Sequence, residues 1–160
     1  MKKVFLLLAV VFSATTFAQS TLKDDVDVVQ SVYGKSKAEL VTQYMALSGT
    51  QAAEFTKVYD AYEVERKKLG QEKIQFINQY ATDYATLTDA NADAIAKGVL
   101  KNNMAYDKLY SSYYEKAKKV VGALNATKFI QLEIYLQTEI RSSIQNAIPF
   151  VGELDMTKVK

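Results

Sequence analysis

Ser20-Thr21-Leu22-Lys23 has the Ser-x-x-Lys spacing in which a lysine amine can take the proton of a serine nucleophile. It lies just past an apolar N-terminal stretch, outside any periodic segment that would hold the two side chains together, and chance accounts for it. Two acidic groups could gather at a hard cation: Asp24, Asp25 and Asp27, and Asp83, Asp89 and Asp93. Neither has the ligand spacing of an EF-hand loop, and caps and solvated loops explain them equally well. Asn125-Ala126-Thr127 is formally a glycosylation sequon, but asparagine there also has a structural reason as a helix cap. The chain has no His and no Cys, which removes disulfides, imidazole and thiolate metal sites, Cys nucleophiles and every triad built on a His base. No Gly-x-Gly-x-x-Gly and no phosphate-binding Gly-Lys-Ser/Thr loop occurs. Only carboxylates, Lys, Tyr or Ser could catalyse, and no arrangement of them stands out. The expectation is therefore a protein that is not an enzyme, with no catalytic residue, no metal and no cofactor.

The chemistry left is recognition. The chain carries eleven tyrosines, and Tyr106, Tyr110, Tyr113 and Tyr114 form the densest group. Tyrosine offers apolar area with a hydrogen-bonding tip, and arginine can stack on or pair with an acidic segment. Arg66 and Lys73 interrupt an otherwise apolar helical stripe, while Asn102 and Asn103 lie near the edge of the next one. Unpaired buried charge is costly, so these residues define either a wet groove or a core margin covered by long side chains. Candidate client-binding residues are Tyr62, Arg66, Lys73, Tyr80, Tyr84, Asn102, Asn103, Tyr106, Tyr110, Tyr113 and Tyr114. The competing assignment for the tyrosines is core packing. Glu63 with Lys67, Glu65 with Lys68, and Glu115 with Lys118 have the spacing of surface helix pairs, worth ~0.2–0.5 kcal/mol each.

Helices must position these residues. From Lys35, apolar residues recur at spacings of three and four through Ala38, Leu40, Val41, Tyr44 and Met45, predicting a short first helix to about Ala46. Three segments then repeat a helix-start pattern: Leu47-Ser48-Gly49-Thr50-Gln51, Leu87-Thr88-Asp89-Ala90-Asn91 and Leu124-Asn125-Ala126-Thr127-Lys128. In each, Ser48, Thr88 or Asn125 serves as N-cap and the leucine before it packs back on the first turn; Gln51 is placed to reach back to its cap. They divide the chain into helices near 49–85, 89–122 and 126–147. Phe55, Val58, Tyr59, Tyr62, Leu69, Phe76, Ile77, Tyr80 and Tyr84 fall on one face of the first of these. Tyr106 to Val121 continue the pattern in the second, and Phe129, Ile130, Leu136, Ile140 and Ile144 in the third. Short links make consecutive helices antiparallel, and strand signals are absent. The fold class is all-α: an antiparallel bundle or cradle of one short and three long helices.

Of 160 residues, 49% are hydrophobic and 24% charged, which describes one globular domain. Lys2 and Lys3, the apolar run from Val4 to Phe12 and the small residues ending at Ala18 read as a secretory signal peptide. The rival reading, a membrane anchor, is opposed by an apolar core shorter than the ~20 residues needed to span a bilayer. No Cys follows for lipid attachment. Cleavage near Ala18 takes two lysines from the 20 basic side chains and leaves 18 against 18 acidic ones. Neutrality argues against nucleic acid and anionic membrane as partners. The expected organisation is a signal peptide at 1–18, a poorly ordered lead-in at 19–34, a helical domain at 35–151 and a polar tail at 152–160, with the product in the periplasm or secreted.

Leu47 to Gln51 resembles the Leu-Thr-x-x-Gln motif that opens helices in the Spy/CpxP-like periplasmic proteins; the second copy has Asn91 for Gln, and the third has Asn125 and Lys128 for Thr and Gln. The chain is more similar still to secreted bacterial proteins of unassigned role, in which the motif opens a long aromatic-rich helix, a second motif follows Tyr-Ala-x-Leu, and an Ile-Pro-aliphatic sequence closes the domain. The matching landmarks are Leu47 to Tyr62, Tyr84 to Leu87 and Ile148-Pro149-Phe150-Val151. The resemblance implies a helical cradle, often dimeric, with ATP-independent chaperone activity in one branch and damping of an envelope-stress sensor in the other. The expected partners are unfolded or stress-damaged envelope proteins held on a Tyr-rich, partly cationic surface. The alternative is a folded envelope partner, such as a stress sensor or outer-membrane component.

Overall fold

The structure, a computed structural model, describes residues 35–148 and 151. Residues 1–34, which include the expected signal peptide and the expected lead-in with Ser20, Lys23, Asp24, Asp25 and Asp27, and residues 149–150 and 152–160 lie outside the described residues. The described chain is all-α: helix α1 (Lys37–Met45), α2 (Gly49–Asp83), a 3-10 turn (Tyr84–Thr86) and α3 (Asp89–Ala147), with no strand among the described residues.

Helix α1 opens on a capping box that sequence reading did not single out. Glu39 N–H donates to Ser36 Oγ at 3.3 Å and Ser36 N–H donates to Glu39 Oε2 at 2.9 Å, so two orphan donors of the first turn are satisfied. The helix ends at Ala46, which takes a left-handed conformation (φ 50°) and directs its N–H to the Thr42 carbonyl. Ser48 and Thr88 cap α2 and α3 as expected. Thr88 Oγ1 accepts from Asn91 N–H at 3.3 Å, whereas Ser48 supplies an extended backbone and no side-chain cap bond. The expected reach of Gln51 back to its cap is therefore not what starts α2.

The third expected break falls near where the spacing puts it, at the end of 89–122, but its start residues shift. Two helices abut at Gly122 (φ 78°, ψ 165°), so Leu124 and Asn125 lie just inside the second of them, and Leu124 is 78% exposed rather than packed on its first turn. Asn125 caps in the other direction: its Nδ2 donates to the Val121 carbonyl at 3.2 Å, a C-terminal group that the break orphans. A non-glycine residue has no comfortable well at that φ and ψ, so glycine chemistry, not the leucine-led motif, fixes the corner.

The consequence is a reversal of the chain. Along a straight helix Tyr106 and Arg141 would be roughly 52 Å apart, yet the Arg141 guanidinium stands 5.7 Å from the Tyr106 ring centroid. The arm after Gly122 lies back along the arm before it, and its Phe129 ring meets Phe55, Tyr59 and Tyr62 at 5.2–6.2 Å. The arm before Gly122 is antiparallel to α2, because Tyr113 bonds Glu65, Asn102 bonds Leu69 and Gly98 faces Phe76. The main core is aromatic, joining Val41 and Met45 of α1, Phe55, Tyr59 and Tyr62 of α2, and Tyr106 to Phe129 of α3. A smaller cluster, Leu136 and Ile140 with Leu40 and Ile144, ties α1 to the second arm.

Candidate functional site

The predicted residues separate into a buried set and a partly exposed set. Tyr62, Arg66, Asn102, Tyr106, Tyr110 and Tyr113 are buried. This corrects the expectation of a client-facing surface at those six positions, because the second arm of α3 covers the stripe on which they lie. Lys73, Tyr80, Tyr84, Asn103 and Tyr114 are partly exposed.

The buried set is organised by a charged network. Lys37 Nζ donates to Glu63 Oε1 at 2.6 Å and to Glu133 Oε2 at 2.7 Å. Arg66 donates from Nε to Glu63 Oε1 at 2.7 Å and from Nη2 to Glu63 Oε2 at 3.1 Å, and the Tyr62 hydroxyl donates to Glu133 Oε2 at 2.7 Å. Two cations thus face two carboxylates in the interior. Arg66 therefore sits in a paired site rather than a wet groove, and Glu63 turns inward instead of toward Lys67. Glu65 accepts from the Tyr113 hydroxyl at 2.7 Å. Burial works to raise the Glu63 pKa, but the hydrogen bonds and charges of Arg66 and Lys37 outweigh it and hold the carboxyl below its ordinary 4.5. Burial, with the Glu133 charge next, pushes the Tyr62 phenol far up, so it remains a donor. Lys37 and Glu133 escaped sequence reading because neither interrupts an obvious stripe; only the Ser36–Glu39 spacing hinted that α1 begins where it does.

From this network a polar seam continues between the arms. Asn102, Tyr106 and Tyr110 recur every four residues on the first arm, and Glu133, Gln137 and Arg141 on the second. Asn102 Nδ2 donates to the Leu69 carbonyl at 2.9 Å. Asn102 Oδ1, the Tyr110 hydroxyl, Glu133 Oε1, Gln137 Nε2 and Arg141 Nε have no hydrogen-bond partner among the described residues.

The seam opens at Arg141 into a groove of about 230 Å³. Its walls are α2 (Lys73, Phe76, Ile77, Tyr80), the first arm (Ile95, Val99, Asn103) and the end of the second arm (Arg141, Ile144, Gln145, Ile148). Lys73 and Asn103, which antiparallel pairing about the turn at Ala85–Thr88 brings level, therefore meet here together with Tyr80. The groove exists because α2 has no buried residue beyond Arg66: past that point two helices and the end of an arm cannot enclose all their apolar faces. Gly98 lets the walls close up, since a Cβ there would strike the Phe76 ring. The lining holds two cations and no carboxylate.

The remaining predicted groups lie elsewhere. Tyr84 stacks edge-on with Tyr80 at 5.7 Å near the hairpin tip, and Tyr114 lies against Lys118 on the opposite half. Around the turn, Asp83 accepts from Asn91 Nδ2 at 3.2 Å and Asp93 pairs with Lys97 at 2.7 Å, so these carboxylates serve local structure. Among the described residues no helix is long and apolar enough to cross a membrane. Comparison with protein-family models, with curated proteins and with solved structures finds no match.

Proposed function

We propose that the chain is a non-enzymatic, ATP-independent holding protein of the cell envelope that takes apolar, acid-bearing segments of partly unfolded clients into the groove beside Lys73 and Arg141. The observation carrying this reading is an open trough with largely apolar walls, whose lining includes Lys73 and Arg141 and no carboxylate. Apolar walls take client side chains without sequence preference, and the cations favour segments carrying Asp or Glu. In this reading the two arms of α3 act as the third and fourth helices of an antiparallel cradle. The N-terminal residues 1–18 direct export and are removed.

The test is light scattering of a chemically denatured client diluted into buffer with the protein from residue 19 onward and no nucleotide. Suppression near equal molar amounts is expected, with loss in Ile77→Asp while far-UV circular dichroism is unchanged. No suppression with several unrelated clients overturns the reading and favours docking on one folded envelope partner.

A further inference from the structure

The groove is polar at one end and apolar at the other. Antiparallel pairing sets Lys73 level with Asn103, and Arg141, whose guanidinium lies 5.7 Å from the Tyr106 ring, reaches the same level from the second arm. From there the groove runs toward the hairpin tip, about 10 Å along α2 to Tyr80, about 12 Å along the first arm to Ile95 and about 10 Å along the second arm to Ile148. Phe76, Ile77, Ile95, Val99, Ile144 and Ile148 line this length, and all but the buried Ile95 are only half-buried. Beyond the exposed Gln145, the Tyr80 hydroxyl is the one polar side-chain group of the lining toward the tip among the described residues.

The polar end is built for an anion. Among the described residues Arg141 contacts the Tyr106 ring but pairs with no carboxylate, and its solvent-shielded Nε has no hydrogen-bond partner. The ring steadies the guanidinium plane, which suits a carboxylate accepting two parallel bonds. A half-buried cation without a counter-ion in a largely apolar site is costly, and an incoming carboxylate offsets that cost. Asn103, half-buried on the facing arm, adds an amide donor. Lys73 is already engaged and is not counted as an anchor.

The walls decide what the rest of the ligand is. They are helical, so their backbone groups are bonded within each helix and offer nothing to a bound main chain. A peptide backbone laid along the groove leaves its amides facing isoleucine and phenylalanine, whereas a hydrocarbon chain loses no hydrogen bond there and gains by leaving water. Client side chains can enter from the mouth, but only a ligand without amides fills the groove lengthwise.

We propose that the groove is also a binding site for a single-chain fatty acid. The carboxylate sits on Arg141 with the Asn103 amide beside it, and the acyl chain runs past Val99 toward Ile148. This site goes beyond the client reading and does not depend on it. That fatty acid and client compete for the groove is a consequence that does rest on that reading.

The test is isothermal titration of the full chain with decanoate, decanol and decyl phosphate, each below its aggregation limit, which compares three heads on one tail. One decanoate per chain is expected, bound about tenfold tighter than decanol, with Arg141→Gln bringing the two within about twofold of each other. Ile77→Asp, on the wall, is expected to weaken all three while far-UV circular dichroism is unchanged. No decanoate binding, or decanol binding as tightly as decanoate, overturns the proposal, and neither outcome needs a variant that folds. Decyl phosphate binding tighter than decanoate also overturns it, because the head is then a phosphate. Decanoate affinity unchanged by both substitutions places the ligand elsewhere on the chain and overturns it too. If Arg141→Gln does not fold, Arg141→Lys keeps the charge without the planar fork and is expected to weaken decanoate severalfold. Decanoate binding by a chain that fails to suppress client scattering leaves the fatty-acid site standing and removes the client reading; suppression without decanoate binding does the reverse.

Discussion

Lys37 touches both carboxylates of the interior, at 2.6 Å and 2.7 Å, and is itself buried, so the network must be judged as a unit. Removing one member leaves another charge without its counter-ion in a poor solvent, and that usually costs more than the intact pair contributes. Glu133→Ala is expected to destabilise the protein by about 3 kcal/mol in chemical denaturation, since it deprives both Lys37 and the Tyr62 hydroxyl. The double variant Lys37→Met with Glu133→Leu is expected to lose less than the sum of the two single changes, because it removes both charges together; additivity would mean that the pair is not coupled. Glu63 sets the pH response, with Lys37, Arg66 and Glu133 as the charged groups around it. Its folded-state pKa lies below the ordinary 4.5, so the unfolded chain takes up the proton more readily. The stability it contributes is complete above about pH 4.5 and is lost as pH falls through the folded value. The melting temperature is expected to drop between pH 6 and pH 3, and Glu63→Gln should lower it at pH 7 while flattening that drop.

At the scale of elements, two glycines decide what helical periodicity leaves open. Gly122 has free space around a would-be Cβ, so substitution there acts through backbone conformation alone. Gly122→Ala is expected to destabilise the folded-back form by about 1–3 kcal/mol. A straightened α3 of 59 residues would be about 88 Å long and would present its second arm to another chain. Size-exclusion chromatography should therefore show an arm-exchanged dimer growing at the expense of the monomer; an unchanged monomer with unchanged stability would refute the hinge assignment. Gly98 acts through space instead. Gly98→Ala is expected to push the Phe76 ring from the groove wall and weaken client binding severalfold, with helix content unchanged by circular dichroism.

The whole molecule has two unlike halves. The half near Gly122 holds α1, α2 and both arms in contact around the aromatic core. Around the hairpin tip only two helices and the end of an arm meet. Fewer buried contacts mean cheaper local opening, so amide hydrogen exchange is expected to be fast in 67–101 and slow around Phe55–Tyr62 and Tyr106–Ala117. Uniform protection would argue against a yielding groove. Binding there should also weaken with added salt, because Lys73 and Arg141 attract through a medium in which ions screen charge within ~8 Å at physiological strength.

Local sequence settled much of the helical layout, because capping, spacing and the lack of interior proline act over a few residues. Thr88 as cap, the antiparallel pairing of α2 with the first arm, and the meeting of Lys73 with Asn103 all follow from such signals. The break between 122 and 126 was legible, but the motif at Leu124–Asn125 misplaced the cap, since this asparagine bonds the end of the old helix and the corner depends on Gly122 three residues earlier. The eleven tyrosines had no local label for inside or outside: Tyr62 and Tyr80 share one stripe, yet only Tyr62 lies where the returning arm covers it. Of the network of Lys37, Glu63, Arg66 and Glu133 only Arg66 was legible, as an interruption of an apolar stripe; its members are up to 96 positions apart, and Lys37, Glu63 and Glu133 each alone read as surface charges. Periodicity determines which face of a helix is apolar; only the path of the chain in three dimensions determines how much of that face another helix removes from water.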